Sequence, residues 1–238
     1  MDDTDSLTLT KTPTAQRPLL GLTILVVEDS RYACEAMRLM CLRSGARIRR
    51  ADCLRSARRH LSVYRPSVVI VDLGLPDGSG LDLIAELSSA IPRVSGLLAL
   101  SGNTPLHQAA INAGADGFLG KPLDSLGAFQ QAVLGALPDS FGPTGPREIP
   151  QVTIAPDPMA YRDDMTRVAD LLEERRDGSM LDYVAQFLDG VARCADDTAL
   201  AEAASDLAAA RARGRVTPET VPALIEMVKA RLTRSFAI

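Results

Sequence analysis

Tryptophan is absent, and four Tyr and five Phe bring the aromatics to only 4% of the 238 residues. So thin a supply argues against the stacking platforms on which single-stranded nucleic-acid binding rests. Histidine occurs twice, at 60 and 107. Cysteine occurs four times, at 34, 41, 53 and 194, with no C-x-x-C pair. These counts argue against a structural zinc site and a disulfide framework, and leave reduced thiols as the expectation. No apolar run approaches the roughly 20 residues of a membrane span. The polar N-terminus lacks the apolar stretch of a secretory signal. A soluble, cytoplasmic chain that meets no membrane is expected. No Gly-rich phosphate loop follows the first apolar run, and no Ser-His-Asp arrangement is visible.

What is present is an ordinary globular balance. Hydrophobic residues make up 46%, and 26 Lys plus Arg face 30 Asp plus Glu, a net charge of -4. A mildly acidic chain has no global drive towards nucleic acid or anionic lipid. Eight Arg between positions 43 and 65 make one stretch basic, which reads as a solvated face.

The apolar run Ile24-Leu25-Val26-Val27 stops at Glu28-Asp29-Ser30, and a helical spacing follows to Ser44-Gly45. A short strand is expected at 47–50 and a helix at 54–64. Val68-Val69-Ile70-Val71 is a continuous β-branched run, the pattern of a strand buried on both faces, and it ends at Asp72. Residues 73–80 read as loop. A helix at 81–90, a strand at 96–100 ending at Ser101, a helix at 105–113 and a strand at 117–119 leading to Lys121 complete the series, with a last helix to about 137. Five strand–helix alternations predict an α/β fold: a doubly wound parallel sheet with helices on both faces.

The expected organisation is a flexible tail at 1–18, the α/β domain at 19–138, a Pro-rich linker at 139–158 and a smaller all-α domain at 159–238. Six Pro between 138 and 158 underlie the linker. Beyond it, helical patterns fall at about 159–176, 179–194, 197–212 and 218–234. Ser179 and Thr217 are expected as caps, with Pro218 in a first turn. Residues 151–238 carry 15 acidic against 11 basic side chains and no His.

Sites in open parallel sheets form at the carboxyl ends of the strands. There the first strand delivers Glu28 and Asp29, the third Asp72, the fourth Ser101 and the fifth Lys121. Taken singly, each is ordinary: Asp29 a helix cap, Ser101 a turn former, Lys121 a solvated cation, Phe118 a core residue. Together, three convergent carboxylates repel one another unless a cation offsets them. All-oxygen ligands select a hard ion, and Mg²⁺ fits best. A carboxylate beside it can act as nucleophile towards a phosphoryl group, whose charge the ion and the lysine offset.

The set Glu28-Asp29, Asp72-Leu73-Gly74-Leu75-Pro76, Ser101-Gly102 and Lys121-Pro122 resembles the receiver domain of two-component response regulators over about residues 20–138. The resemblance implies a five-stranded sheet of flavodoxin-like order 2-1-3-4-5. It implies Asp72 as phosphoacceptor. Asp29 would hold Mg²⁺ directly, Glu28 mainly through water, and the Gly74 carbonyl would be a further ligand. Ser101 would be the switch hydroxyl, Lys121 the phosphate-pairing ammonium and Phe118 the switch aromatic. The acid pair departs from the family's pattern in being Glu-Asp, and Phe118 lacks a phenolic hydroxyl. The implied partner is a sensor histidine kinase or a histidine phosphotransfer protein.

The acidic helical half resembles no family. It is expected to serve protein–protein interaction, through a homodimer or an output protein, without binding DNA. Its lack of His excludes a working histidine phosphotransfer module. Two other readings stand beside this one. An aspartyl-nucleophile phosphohydrolase of the haloacid-dehalogenase type carries D-x-D-x-T, where this chain has Asp72-Leu73-Gly74. A pseudo-receiver that is never phosphorylated is disfavoured by the full residue set. The chain is therefore expected to be no enzyme beyond its own phosphorylation and dephosphorylation.

Overall fold

The continuous apolar run at 68–71 fixes the centre of the molecule. In the computed structural model, Val68 and Ile70 face one side of a sheet and pack with Met37, Met40, Phe129 and Val133. Val69 and Val71 face the other and pack with Leu83, Ile84 and Leu87. Period-two alternation thus feeds two cores from one strand. The structure describes residues 12–174, 178–214 and 220–233. Residues 1–11 of the expected tail, and Thr217 and Pro218, lie outside the described residues.

The elements run β1 (Thr23–Val27), α1 (Arg31–Ser44), β2 (Arg47–Ala51), α2 (Leu54–Val63), β3 (Val68–Asp72), β4 (Gly74–Leu75), β5 (Gly78–Ser79), α3 (Gly80–Ser89), β6 (Gly96–Ser101), α4 (His107–Asn112), β7 (Gly117–Gly120) and α5 (Leu126–Gly135). The main sheet is parallel, in the order β2-β1-β3-β6-β7. That is the expected 2-1-3-4-5 order once the small β4–β5 hairpin is set aside. β3 and β6 are buried along their whole length. β2 lies at an edge, and exposed Arg47, Arg49 and Arg50 guard it against pairing with another chain.

Local chemistry sets the ends of the elements. Ser30 caps α1 by accepting from the Ala33 N–H, and Gly45 closes it at φ 88°, a left-handed conformation that favours glycine. The stretch read as loop at 73–80 pairs Gly74 with Ser79 and Leu75 with Gly78 as a two-residue-strand hairpin. So short a strand has no period that a sequence pattern can reveal. Asp77 at its tip accepts from the Leu54 and Arg55 N–H groups at 2.8 and 3.0 Å, capping α2 from a distant loop. The fourth helix of the α/β region opens as a 3₁₀ turn over Thr104–Leu106, with Pro105 in its first turn.

The Pro-rich segment returns along α5. Ser125 bridges to Thr153, Ile154 N–H donates to the Asp124 carbonyl at 2.7 Å, and the Ile154 side chain is buried in the α1/α5-side core. Four more helices follow among the described residues: α6 (Pro158–Glu174), α7 (Gly178–Cys194), α8 (Thr198–Ala212) and α9 (Thr220–Thr233). Ser179, expected as a cap, lies one residue inside α7. Among these helices Met165, Leu172, Val184, Leu188, Leu200, Leu207 and Val228 form a third buried cluster. Asp197 caps α8 through the Leu200 N–H and pairs with Arg231, whose nitrogens lie 2.8 Å away. This helical region is not remote from the sheet: Tyr32 of α1 packs against its core, edge-on to Tyr161 at 5.8 Å.

Candidate functional site

Buried β-strands that stop abruptly at acids and hydroxyls bring those groups into one cleft. Glu28 and Asp29 follow β1, Asp72 ends β3, Ser101 ends β6 and Lys121 follows β7. Glu28, Asp29, Asp72 and Ser101 are all 6% exposed or less. The Lys121 ammonium lies 2.7 Å from Glu28 Oε2 and 3.3 Å from Asp72 Oδ1. Glu28 Oε1 accepts from the Ser30 N–H at 3.0 Å. The three carboxylates each offer an oxygen within 4.8 Å of the others.

Their electrostatics follow from that crowding. Burial, with the Glu28 and Asp72 charges, pushes the Asp29 carboxyl up to about 7, against the opposing pull of Tyr183 and Arg167. Burial also raises the Asp72 carboxyl to about 6, although Lys121 pulls it down. Burial would lower the Lys121 ammonium, but the Asp72 and Glu28 charges outweigh it and hold the lysine charged well above its usual range. Three acids served by Lys121 and the half-exposed Arg167 form a cation-demanding set. Asp29 Oδ1 is buried without a hydrogen-bond partner. An unsatisfied buried carboxylate oxygen in an all-oxygen cluster fits a hard divalent cation.

Gly74 and Gly102 line the same cleft, which has a volume of about 620 Å³. Ser101 Oγ accepts from the Asn103 N–H at 3.1 Å. Phe118 is not brought into the cleft. Its half-buried ring packs edge-on to His107 at 5.1 Å, on the α2–α4 side of the sheet.

Sequence reasoning missed the other wall. Tyr183 on α7 donates its hydroxyl to Asp29 Oδ2. Arg167 on α6 donates to the Asp29 carbonyl at 2.9 Å and lies 3.4 Å from Asp29 Oδ2. Gln186 closes over Gly74, where any Cβ would collide with the glutamine amide. A Cβ on Gly190 would sit 3.6 Å from Lys121 Nζ. Gly190 carried the one available signal, a glycine inside an apolar helix, which marks close approach of another group.

Residues 24–133 match the family model described as response regulator receiver domain. This segment, somewhat under half of the chain, resembles receiver domains in motif and sequence alike. The KDP operon transcriptional regulatory protein KdpE of Escherichia coli is 31% identical over 145 residues, covering 60% of this chain and 59% of that protein. The aerobic respiration control sensor protein ArcB of Escherichia coli is 33% identical over 112 residues, covering 44% of this chain and 14% of that one. The chain thus spans less than two thirds of the length of either relative. A crystal structure of a response regulator protein from Burkholderia pseudomallei, with a phosphorylated aspartic acid, calcium ion and citrate, is 27% identical with a TM-score of 0.43. It covers 47% of this chain and 66% of that one.

Proposed function

We propose that this chain is a response regulator of a two-component phosphorelay that accepts a phosphoryl group on Asp72. The observation that carries this reading is the Lys121 ammonium held between Glu28 and Asp72 at 2.7 and 3.3 Å inside a cleft of three buried carboxylates. A structural ion pair would need one acid; this cleft holds three buried carboxylates against Lys121 and the half-exposed Arg167, one more than charge balance requires.

Glu28, Asp29, Asp72 and the Gly74 carbonyl would hold Mg²⁺. When bound, it offsets charge on the transferring phosphoryl oxygens. Asp72 supplies the nucleophilic oxygen. A new O–P bond forms as the donor's bond to phosphorus breaks, and the leaving group keeps that electron pair. Lys121, charged throughout, pairs with a phosphoryl oxygen, and the Ser101 hydroxyl hydrogen-bonds another. Phe118, from its place against His107, responds to the movement of Ser101. Attack of water on phosphorus later returns the Asp72 carboxylate and inorganic phosphate. Beyond this exchange the chain is not an enzyme.

The phosphodonor is a sensor histidine kinase or a histidine phosphotransfer protein. Residues 19–138 form the receiver unit, 139–158 the connection and 159–238 a smaller all-α output domain. The excess of acid in residues 151–238 favours a protein over nucleic acid as the output partner, a second copy included. Among the described residues no helix is long and apolar enough to cross a membrane. Incubation with acetyl phosphate and Mg²⁺, read by intact-mass spectrometry, tests the reading. One phosphoryl adduct is expected on the wild type and none on Asp72→Asn; equal adducts on both would overturn it.

A further inference from the structure

The wall of the cleft that α6 and α7 supply is built from the residues that meet the acids. Tyr183, Gln186 and Gly190 stand at i, i+3 and i+7 on one face of α7. That face meets Asp29 after β1, Gly74 after β3 and Lys121 after β7. α6 adds a charge. The Arg167 guanidinium reaches both the carbonyl and the carboxylate of Asp29, and it lies over the rings of Tyr183 and Phe187 at 6.0 and 5.4 Å. Within the cleft, Lys121 pairs with both Glu28 and Asp72, and Arg167 pairs with Asp29. The third acid of the receiver is therefore balanced by a cation from the helical region.

We propose that the seating of α6–α7 on Asp29 and the binding of a divalent cation at the three carboxylates oppose each other, so that the helical region acts as an internal cover on the phosphorylation cleft. The inference rests on the proposed metal-binding role of Glu28, Asp29 and Asp72. A cation among these oxygens would meet the Arg167 charge already paired with buried Asp29, and like charges repel. It also draws on a carboxylate already engaged by the Tyr183 hydroxyl. Linkage makes the opposition mutual: the cover weakens cation binding, and the cation loosens the cover by the same factor. The face through which a protein phosphodonor would approach Asp72 is covered by α7 in the same arrangement.

The test is calorimetric titration of the full-length protein with MgCl₂, alongside hydrogen exchange of α6 and α7 with and without saturating Mg²⁺. Tyr183→Phe removes only a hydroxyl, Arg167→Ala a half-exposed cation. Asp164→Asn weakens a contact of α6 with α1 that does not touch Asp29. Each is expected to bind Mg²⁺ about five- to tenfold more tightly than the wild type, at the low end of ordinary site-to-site couplings. Mg²⁺ is expected to speed exchange in α6 and α7. Weaker binding by Tyr183→Phe would make the tyrosine a residue that positions Asp29 for the cation, and would overturn the proposal. So would tighter binding confined to Arg167→Ala, or slower exchange on adding Mg²⁺. Equal Mg²⁺ binding by all four proteins would overturn the opposition while leaving the metal site standing; no binding by any of them would overturn both.

Discussion

Asp164 of α6 caps the first helix of the receiver from outside it, with Oδ2 accepting from the Ser30 hydroxyl at 2.8 Å. Its two oxygens also accept from the Arg31 and Tyr32 N–H groups, at 2.9 and 3.1 Å. Ser30 itself accepts from the Ala33 N–H, so α1 is capped twice, once by its own chain and once across 134 residues. The free N–H groups of a helix start take such acceptors readily. The carboxylate is almost wholly buried, so it belongs to a packed interface and not to a passing surface contact.

Removing that carboxylate strips three donors of their acceptor at once. Asp164→Ala is expected to cost about 1–3 kcal/mol of stability, measured by urea denaturation. A change within error would mean that the N-terminus of α1 is satisfied without α6.

The raised acids make the metal-free protein pH-sensitive in a defined direction. Asp29 at about 7 and Asp72 at about 6 are protonated more readily folded than unfolded, where the ordinary value is 3.8. Their protonation therefore favours the fold at low pH. That contribution is complete below about pH 4 and is lost as pH rises through 6 and 7. In EDTA the melting temperature is expected to fall between pH 5 and 8. Asp29→Asn, which keeps the neutral shape, is expected to flatten the fall, by about 1–4 kcal/mol at pH 8. A melting temperature that rises over this window in the wild type would contradict the assignment.

Lys121→Met leaves Glu28 and Asp72 without the ammonium that lies 2.7 and 3.3 Å from them. Breaking a buried pair from one side costs about 3–5 kcal/mol. The loss is expected in full at pH 8 and in smaller part at pH 5, where Asp72 carries its own proton. Urea denaturation at both pH values checks this, and an equal loss at both would count against the cleft's electrostatics as described.

The helical region can be tested as a unit of its own. Leu188 is fully buried among α7 and its neighbours. Leu188→Ala is expected to cost that region about 2–5 kcal/mol. Calorimetry is expected to show its transition moving down while the receiver's stays in place. A single transition moving as a whole would mean that both parts share one cooperative core.

Much of the receiver half was legible because its signals are local. Val68-Val69-Ile70-Val71 has the β-branched continuity of a strand buried on both faces, and a strand that ends at Asp72 presents it at the sheet's rim. Glu28, Asp29, Ser101 and Lys121 follow by the same reasoning, and the structure brings all of them to one cleft. Phe118 was placed correctly in its strand, but its ring turns to His107, a partner that no spacing reveals. The α6–α7 wall was invisible for a different reason. Tyr183, Arg167 and Asp164 sit on helices whose apolar spacing describes only their own bundle. Their partners Asp29 and Ser30 lie more than 130 residues away, and no periodicity encodes such a contact. The Pro-rich segment was read from its proline content alone. The one buried side chain that ties it to α5, Ile154, gives no pattern by itself.

The most direct measurement is to trap the modified residue. Full-length protein is treated with acetyl phosphate and Mg²⁺, then reduced with borohydride, which converts an aspartyl phosphate to homoserine. Peptide mass spectrometry then locates the change. The reduced residue is expected at position 72 alone, and none when Mg²⁺ is replaced by EDTA. Modification at Glu28 or Asp29 in place of Asp72, or none at any residue of the cleft, would contradict it.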